Sequence, residues 1–432
     1  MKYELPPKAG RAVGTDALSL EQIYALLLLM TVYTCHAIDR NIVSIVLEPI
    51  KRELHVSDRL MGAIPLAFSL AFIAAVLPIG VLIDKTNRVR LLAFLLAVWS
   101  LTTSLAGAAS VFPLLVAARV GVGVAEAGGQ PLALSLLSDL FPQGRRASAL
   151  GVFYLSTGIG SIIAFLCGGA IAAAYGWRMT FLLGGVPGFV LAPVLLATLR
   201  EPRRGAMDVR AERAPSERPA SVREAFRIAV SCPPLVCVLL GMFSSSVVLG
   251  SFLVWSSGFL MREHDLTIKA AGAGVALAGG VMPAVGAVLS GFCADALGRS
   301  HPARGGWVCG VSAAVMAASG ILFTLAPTPT LAVACLIGFG LFGGGWMAPA
   351  LAMLIGLTPP RSRGAVLAFG QMFTALGSGL GPFMVGWLSD LLHRLGPALA
   401  CSAIVSLVGM TLYGLAVAMA EGQGVTRERN VA

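Results

Sequence analysis

Long apolar stretches separated by short polar segments run through the whole chain. Each stretch is about 20 residues or longer, the length that an α-helix needs to cross the hydrocarbon core of a membrane. The pattern therefore predicts an all-α membrane protein with about twelve transmembrane helices. Their approximate bounds are 23–47, 60–83, 89–109, 111–138, 147–174, 179–199, 232–260, 270–294, 305–326, 328–357, 364–389 and 396–420.

The composition agrees with this pattern and excludes other classes. Hydrophobic residues make up 57% of the chain and charged residues 12%, whereas soluble proteins carry about 25% charged residues. The net charge is +10, but the basic residues lie in short loops between apolar stretches, so we expect no nucleic-acid partner. The eight cysteines form no CxxC pair, and we predict neither a metal site nor a cofactor.

The basic residues lie mostly in loops on one side of the predicted membrane, whereas charges in the opposite loops nearly cancel. Cytoplasmic loops are rich in Lys and Arg, so we place both termini in the cytoplasm. The protein is then a multi-pass integral membrane protein, expected in a bacterial inner (plasma) membrane. The N-terminus lacks a cleavage-site pattern, and we expect the first span to act as an uncleaved anchor. The basic loops are 84–90, 139–146, 200–227, 295–304 and 361–363.

The longest polar stretch between spans divides the chain in two. It contains three prolines and mixed charge, which favours a cytoplasmic linker with at most a short surface helix. We predict a six-helix bundle on each side of this linker and a cytoplasmic tail. The predicted divisions are an N-terminal bundle at 1–199, the linker at 200–229, a C-terminal bundle at 230–420 and the tail at 421–432.

A short motif occurs at equivalent loops of the two bundles. It reads G-x-x-x-D-x-x-[GN]-R and begins at Gly80 and again at Gly291, 211 residues later. The repetition indicates two pseudo-symmetric halves, as in many transporter folds. The Asp can accept hydrogen bonds at a helix end, and the Gly or Asn is expected to allow a left-handed turn. The motif is interpreted either as a conformational latch or as a plain tight turn. The candidate latch residues are Gly80, Asp84, Lys85, Arg88, Asp295 and Arg299.

After the loop charges are assigned, four charged residues remain inside the predicted spans: Asp39, Arg40, Arg119 and Glu126. A charge at mid-helix costs roughly 2.5–3.5 kcal/mol on insertion scales, so four of them favour a functional role. Arg119 and Glu126 are two helical turns apart and share a face. We predict that the four residues serve proton coupling or substrate binding. The alternative is a buried charge cluster that fixes helix packing.

The second half has no charge inside its spans. One wall of a central cavity would then be charged and the other apolar and weakly polar, which favours an amphipathic substrate. The polar and aromatic candidates could instead serve helix packing. The candidate pocket-lining residues are His36, Tyr154, Ser251, Trp255, Trp346, Gln371 and Thr374.

The paired loop motif resembles that of the major facilitator superfamily, whose fold is two six-helix bundles. Within it, the first half is similar to Spinster-like lipid transporters. The stretches that carry this second resemblance include Ile38-Asp39-Arg40-Asn41, "HVSDRLMG", "AARVGVGVAEAGGQP" and "SLLSDLFPQGRRASALG". The resemblance implies roles in proton coupling and substrate binding for Asp39, Arg40, Arg119 and Glu126. Organic-anion symporters are also similar around the Asp-Arg pair, so the substrate stays open.

These observations together predict a secondary active transporter that works by alternating access and is coupled to protons. The substrate is expected to be an amphipathic lipid-like molecule or an organic anion. A small organic anion:proton symporter and a drug exporter are the alternatives. An intramembrane enzyme is disfavoured because no catalytic motif can be found in the spans, and a primary pump because there is no phosphate-binding loop. Beyond the bilayer, protons and the substrate, we expect no partner and a monomer.

Overall fold

The computed structural model describes residues 18–205, 207, 222–299, 302–359 and 362–431, and helices form nearly all of this part. Residues 1–17 of the predicted first bundle lie outside the described part. Residues 206 and 208–221 of the predicted linker lie outside it as well. The helices of the first half are α1 Leu20–Leu54, α2 Asp58–Lys85, α3 Arg88–Gly107, α4 Phe112–Glu126, α5 Gly129–Leu140 and α6 Gln143–Thr198. Those that follow are α7 Val222–Ser231, α8 Pro233–Glu263, α9 Ile268–Ala276, α10 Met282–Gly298, α11 Trp307–Leu325, α12 Pro329–Gly345, α13 Met347–Leu357, α14 Arg363–Leu392 and α15 Leu395–Val431.

Twelve crossings account for all of these helices except the short α7, as predicted. Ten stretches of the described chain are long and apolar enough to span a membrane, and Gly144–Thr198 alone has 55 residues. Gly176 in that stretch has φ 81° and ψ 167°, so it breaks α6 into two spans. Only glycine adopts this backbone conformation readily. The second part of α6 and the 30 residues of α14 bring the total to twelve.

The helices begin where the sequence offers side-chain caps. The Ser19 hydroxyl accepts a hydrogen bond from the backbone amide of Gln22, and the Gln22 side-chain oxygen accepts one from the Ser19 amide, so the two residues form a capping box. Asn87 likewise caps α3 through a 2.8 Å bond from the Arg90 amide, with φ −70° and ψ 118°. The prediction of a left-handed turn at this position is therefore wrong, because Asn87 serves as an extended N-cap residue.

Two crossings are interrupted at corresponding places in the two halves. The fourth is divided between α4 and α5, and the tenth between α12 and α13 at Trp346. The eighth crossing contains a π-helical stretch, Leu277–Val281, between α9 and α10. Such interruptions occur frequently at functional sites.

The two halves pack closely through small residues. At Gly62 of α2, an added Cβ would lie 2.8 Å from the Cα of Phe383 in α14. At Gly379 of α14 it would lie 2.9 Å from the carbonyl oxygen of Pro65. Small residues let membrane helices approach in this way. The short helix α7 lies where the sequence predicted a linker helix, and α15 continues through the predicted tail to Val431.

Candidate functional site

A fully buried ion pair connects α1 and α4. Arg119 Nη1 donates a 3.0 Å hydrogen bond to Asp39 Oδ1. Asp39 is 1% exposed and Arg119 2% exposed. Each charge satisfies the other in a region where an unpaired charge would be strongly unfavourable.

A second close contact between the same two helices joins His36 to Glu126. His36 Nδ1 lies 3.1 Å from Glu126 Oε2, and both residues are buried. The distance suits an ion pair, but the contact lacks hydrogen-bond geometry. Neither carboxylate oxygen of Glu126 accepts a hydrogen bond from the described part of the chain.

Arg40 differs from its charged neighbours because its side chain is exposed. Its guanidinium lies 5.6 Å from the centre of the Phe68 ring. Among the described residues it has no carboxylate within ion-pair distance. A mid-helix cation facing lipid is costly, so we expect the exposed side of Arg40 to face water rather than lipid.

The remaining candidate residues fall into an exposed group and a buried group. Tyr154 is exposed on α6, and its hydroxyl accepts a 3.0 Å bond from the Gln130 side chain. Gln371 is exposed and Thr374 is half-buried on α14.

The buried candidates are Ser251, Trp255 and Trp346. Ser251 bonds to the Val247 carbonyl of its own helix. Trp255 Nε1 donates a 2.9 Å bond to the carbonyl of Pro382, which ties α8 to α14. In this conformation these side chains contribute to packing.

A charged network joins the two halves at the end of the bundle that carries residues 54–58 and 263–267, which we call the α1–α2 end. Arg262 of α8 donates two hydrogen bonds of 2.7 and 2.8 Å to Asp58 of α2. It also donates a 2.7 Å bond to Glu48 of α1. Lys51 Nζ lies 2.6 Å from the same Asp58 carboxylate. Two carboxylates of the first half thus bind one guanidinium of the second, and Lys51 shares the Asp58 carboxylate.

Two residues of α14 extend this network. Ser389 donates a 2.7 Å bond to Asp58. Asp390 accepts bonds of 3.0 and 2.9 Å from the backbone amides of Asp58 and Arg59, and so caps the start of α2. Sequence reasoning missed this network because its members lie at helix ends far apart in the chain. The near cancellation of positive and negative charge in the loops on that side was the sequence signal that could have indicated this network.

The opposite end of the bundle, which carries residues 84–88 and 201–205, is called the linker end. There Arg88 is buried and bonds to Asp139 at 2.5 Å and to Glu201 at 2.6 Å. Glu201 also accepts a 3.0 Å bond from the Val89 amide at the start of α3.

Apart from Arg88, the charged latch residues predicted at the linker end have exposed side chains. The Asp84 side chain is 84% exposed and lies 3.9 Å from Arg204. Lys85, Asp295 and Arg299 are exposed. An added Cβ at Gly80 would meet nothing within 4 Å. In this conformation Asp84 therefore lies apart from the buried Arg88 contacts.

Comparison with known proteins places this fold and charge pattern in a family. The family model described as Major Facilitator Superfamily matches residues 29–382. The chain belongs to the Major Facilitator Superfamily. Members of this family and the solved relatives with this fold are membrane transporters, not enzymes.

Individual relatives of this superfamily member differ in what they are named for. An "MFS-type efflux pump" of Mycolicibacterium smegmatis is 30% identical over 96% of this chain and 94% of its own. A "Probable L-galactonate transporter" of Escherichia coli is 26% identical over 94% of this chain and 92% of its own. A solved bacterial homologue of the human lysosomal transporter Spinster, inward-facing and unoccupied, has 25% identity and a TM-score of 0.83. The match covers 94% of this chain and 98% of the homologue, and it confirms the Spinster-like resemblance.

Proposed function

We propose that this superfamily member is a proton-coupled secondary transporter of amphipathic lipid-like or organic anions that works by alternating access. The observation that carries the proposal is the contrast between Arg40 and its neighbours. Asp39 and Arg119 neutralise each other, and Glu126 contacts His36, whereas Arg40 is exposed and lacks a carboxylate partner among the described residues. An exposed guanidinium in a water-filled space is suited to binding a carboxylate or phosphate.

The apolar character of the second half supports an amphipathic substrate. Its spans carry no charge, so a substrate held at Arg40 would meet a weakly polar wall. The relative named for L-galactonate transport supports an organic anion. The resemblance of the first half to Spinster-like lipid transporters implies a lipid-like substrate.

The difference between the two ends of the bundle supports alternating access. At the α1–α2 end, Arg262 ties the halves together through Asp58 and Glu48. At the linker end, Asp84 and its counterpart Asp295 are exposed. With the termini and the linker in the cytoplasm, this arrangement corresponds to an inward-facing conformation. In the opposite conformation we expect the network at the α1–α2 end to break and the latch residues to come together.

A drug exporter is the second candidate function. The observation in its favour is the 30% identity to the mycobacterial efflux pump over nearly the whole chain. An unpaired Arg40 would not attract a cationic substrate. The charge of the transported molecule therefore distinguishes the two candidate functions.

The test is uptake into proteoliposomes of two labelled monoanions, L-galactonate and lysophosphatidylglycerol, beside a labelled lipophilic cation. Wild type is compared with Arg40→Gln and with the control Arg90→Gln, which removes an exposed charge from the start of α3. We expect saturable uptake of an anion by wild type and by the control, and its loss in Arg40→Gln. Movement of the cation alone would contradict the proposal and favour the exporter.

A further inference from the structure

The contact between His36 and Glu126 differs from the ion pair beside it, which is joined by a direct hydrogen bond. The Glu126 side chain is fully buried, and its nearest ionisable partner is the imidazole of His36 at 3.1 Å. Neither Glu126 oxygen receives a hydrogen bond from the described residues. A buried carboxylate without hydrogen bonds is unfavourable unless a proton or a cation neutralises it. The cations near Glu126 therefore determine whether its charge is balanced.

The surroundings of His36 hold the imidazole in place without adding a competing acceptor. The Tyr33 ring stacks on it with centroids 4.9 Å apart, and the Trp99 ring of α3 lies at 5.8 Å. The other ionisable groups that face the pair come from α1, α4 and α6. They are Tyr33, Asp39, Arg40 and Arg119, with Tyr154 interacting with Tyr33.

The formal charges of this cluster sum to zero when His36 is neutral. The charge of Asp39 is neutralised by Arg119 through their direct hydrogen bond. Only Arg40 then balances Glu126, and Arg40 is the exposed group. When a monoanion binds Arg40, the buried side of the cluster is left with an excess negative charge on Glu126. A proton on His36, next to that carboxylate, restores neutrality.

We infer that His36 is the group that takes up one proton when a monoanion binds Arg40, with Glu126 as the carboxylate that stabilises the imidazolium. The proton is taken up from the solution onto a ring nitrogen of His36, and no other covalent bond changes. On release of the anion the proton returns to water. This inference rests on the proposed function and adds the proton-carrying residue and the stoichiometry of one proton per monoanion. His36 carries the proton and acts on the substrate only through its charge.

The test compares wild type, His36→Gln and the control His393→Asn in proteoliposomes, with L-galactonate and lysophosphatidylglycerol as probes. His393 is exposed with φ 55°, a conformation that Asn tolerates. Two assays are run for each variant. Counterflow exchange, with the probe on both sides and no pH gradient, needs binding and movement but no net proton transfer. Accumulation driven by an imposed pH gradient needs the proton as well.

We expect His36→Gln to retain counterflow and to lose gradient-driven accumulation, while the control behaves as wild type. A pH-indicator dye in weakly buffered detergent should record one proton taken up per probe bound by wild type and none by His36→Gln. Gradient-driven accumulation that survives in His36→Gln overturns the inference and leaves the proposed function intact. Wild type that ignores the gradient overturns both.

A fluorescence measurement on proteins that retain His36 covers the case in which His36→Gln fails to fold. An imidazolium quenches a nearby indole more strongly than a neutral imidazole does. Adding the probe should therefore lower the fluorescence contributed by Trp99, measured as wild type minus Trp99→Phe. An unchanged Trp99 contribution on binding overturns the inference.

Discussion

Replacing Asp58 by Asn should shift the protein away from the conformation described here. Asp58 accepts two charge-assisted hydrogen bonds from Arg262 and lies 2.6 Å from Lys51. Hydrogen bonds to charged groups contribute about 1.5–3 kcal/mol each. Removing one partner of a buried pair costs about 3–5 kcal/mol. Arg262 keeps its contact with Glu48, so we expect a loss of about 2–3 kcal/mol from the conformation in which the halves are joined. Such a loss changes the ratio of the two conformations by about 30- to 150-fold.

The shift can be measured as a distance between spin labels across the α1–α2 end. Ser110 in the first half and Thr330 in the second are both exposed at this end, and each is replaced by Cys. All variants carry replacements of the eight native cysteines. Double electron–electron resonance in lipid vesicles then reports the distribution of distances between the halves.

The control for this experiment is Asp265→Asn. Asp265 is an exposed acid at the same end, with φ 52° that Asn tolerates. We expect a single short-distance population in wild type and in the control, and an added longer-distance population in Asp58→Asn. An unchanged distribution in Asp58→Asn, or an equal shift in the control, would refute the role given to the network.

Two further predictions concern the stability of the fold in detergent. Asp39→Asn should lower the thermal unfolding midpoint by the equivalent of about 3–5 kcal/mol, because Arg119 loses its buried partner, and adding Arg119→Gln should recover part of this loss. A double variant no more stable than the single one would contradict this account. Gly62→Ala should destabilise the contact between the halves, since the new methyl group would meet the Pro382 backbone, whereas Gly80→Ala on the same helix should be tolerated. Equal midpoints for these two variants would contradict the close packing of α2 on α14.

The crossings could be predicted from sequence because each is an apolar run long enough to span a membrane. The sequence bounds 147–174 and 179–199 even separate at the place where Gly176 breaks α6. The interruption of the tenth crossing at Trp346 was not predicted, although Gly343, Gly344 and Gly345 directly before it are poor helix formers that could have indicated it.

The members of the buried charge cluster were also predictable, since a charge inside an apolar span stands out. Their pairing was not. Whether Asp39 meets Arg119, and whether Glu126 meets His36, depends on the rotation of α1 against α4, which packing of the whole bundle determines. The network around Asp58 and Arg262 escaped prediction because charges at helix ends are ordinary in sequence. It becomes distinctive only when the two halves are brought together.

The central claim, that protons drive transport through the buried pair of His36 and Glu126, is tested most directly by uptake into proteoliposomes with and without an imposed pH gradient. Wild type is compared with Glu126→Gln and with the control Glu21→Gln, which changes an exposed acid of α1. The account predicts that L-galactonate or lysophosphatidylglycerol accumulates in response to the gradient in wild type and in the control, but not in Glu126→Gln. Uptake that ignores the gradient in wild type, or that responds equally in Glu126→Gln, would contradict it.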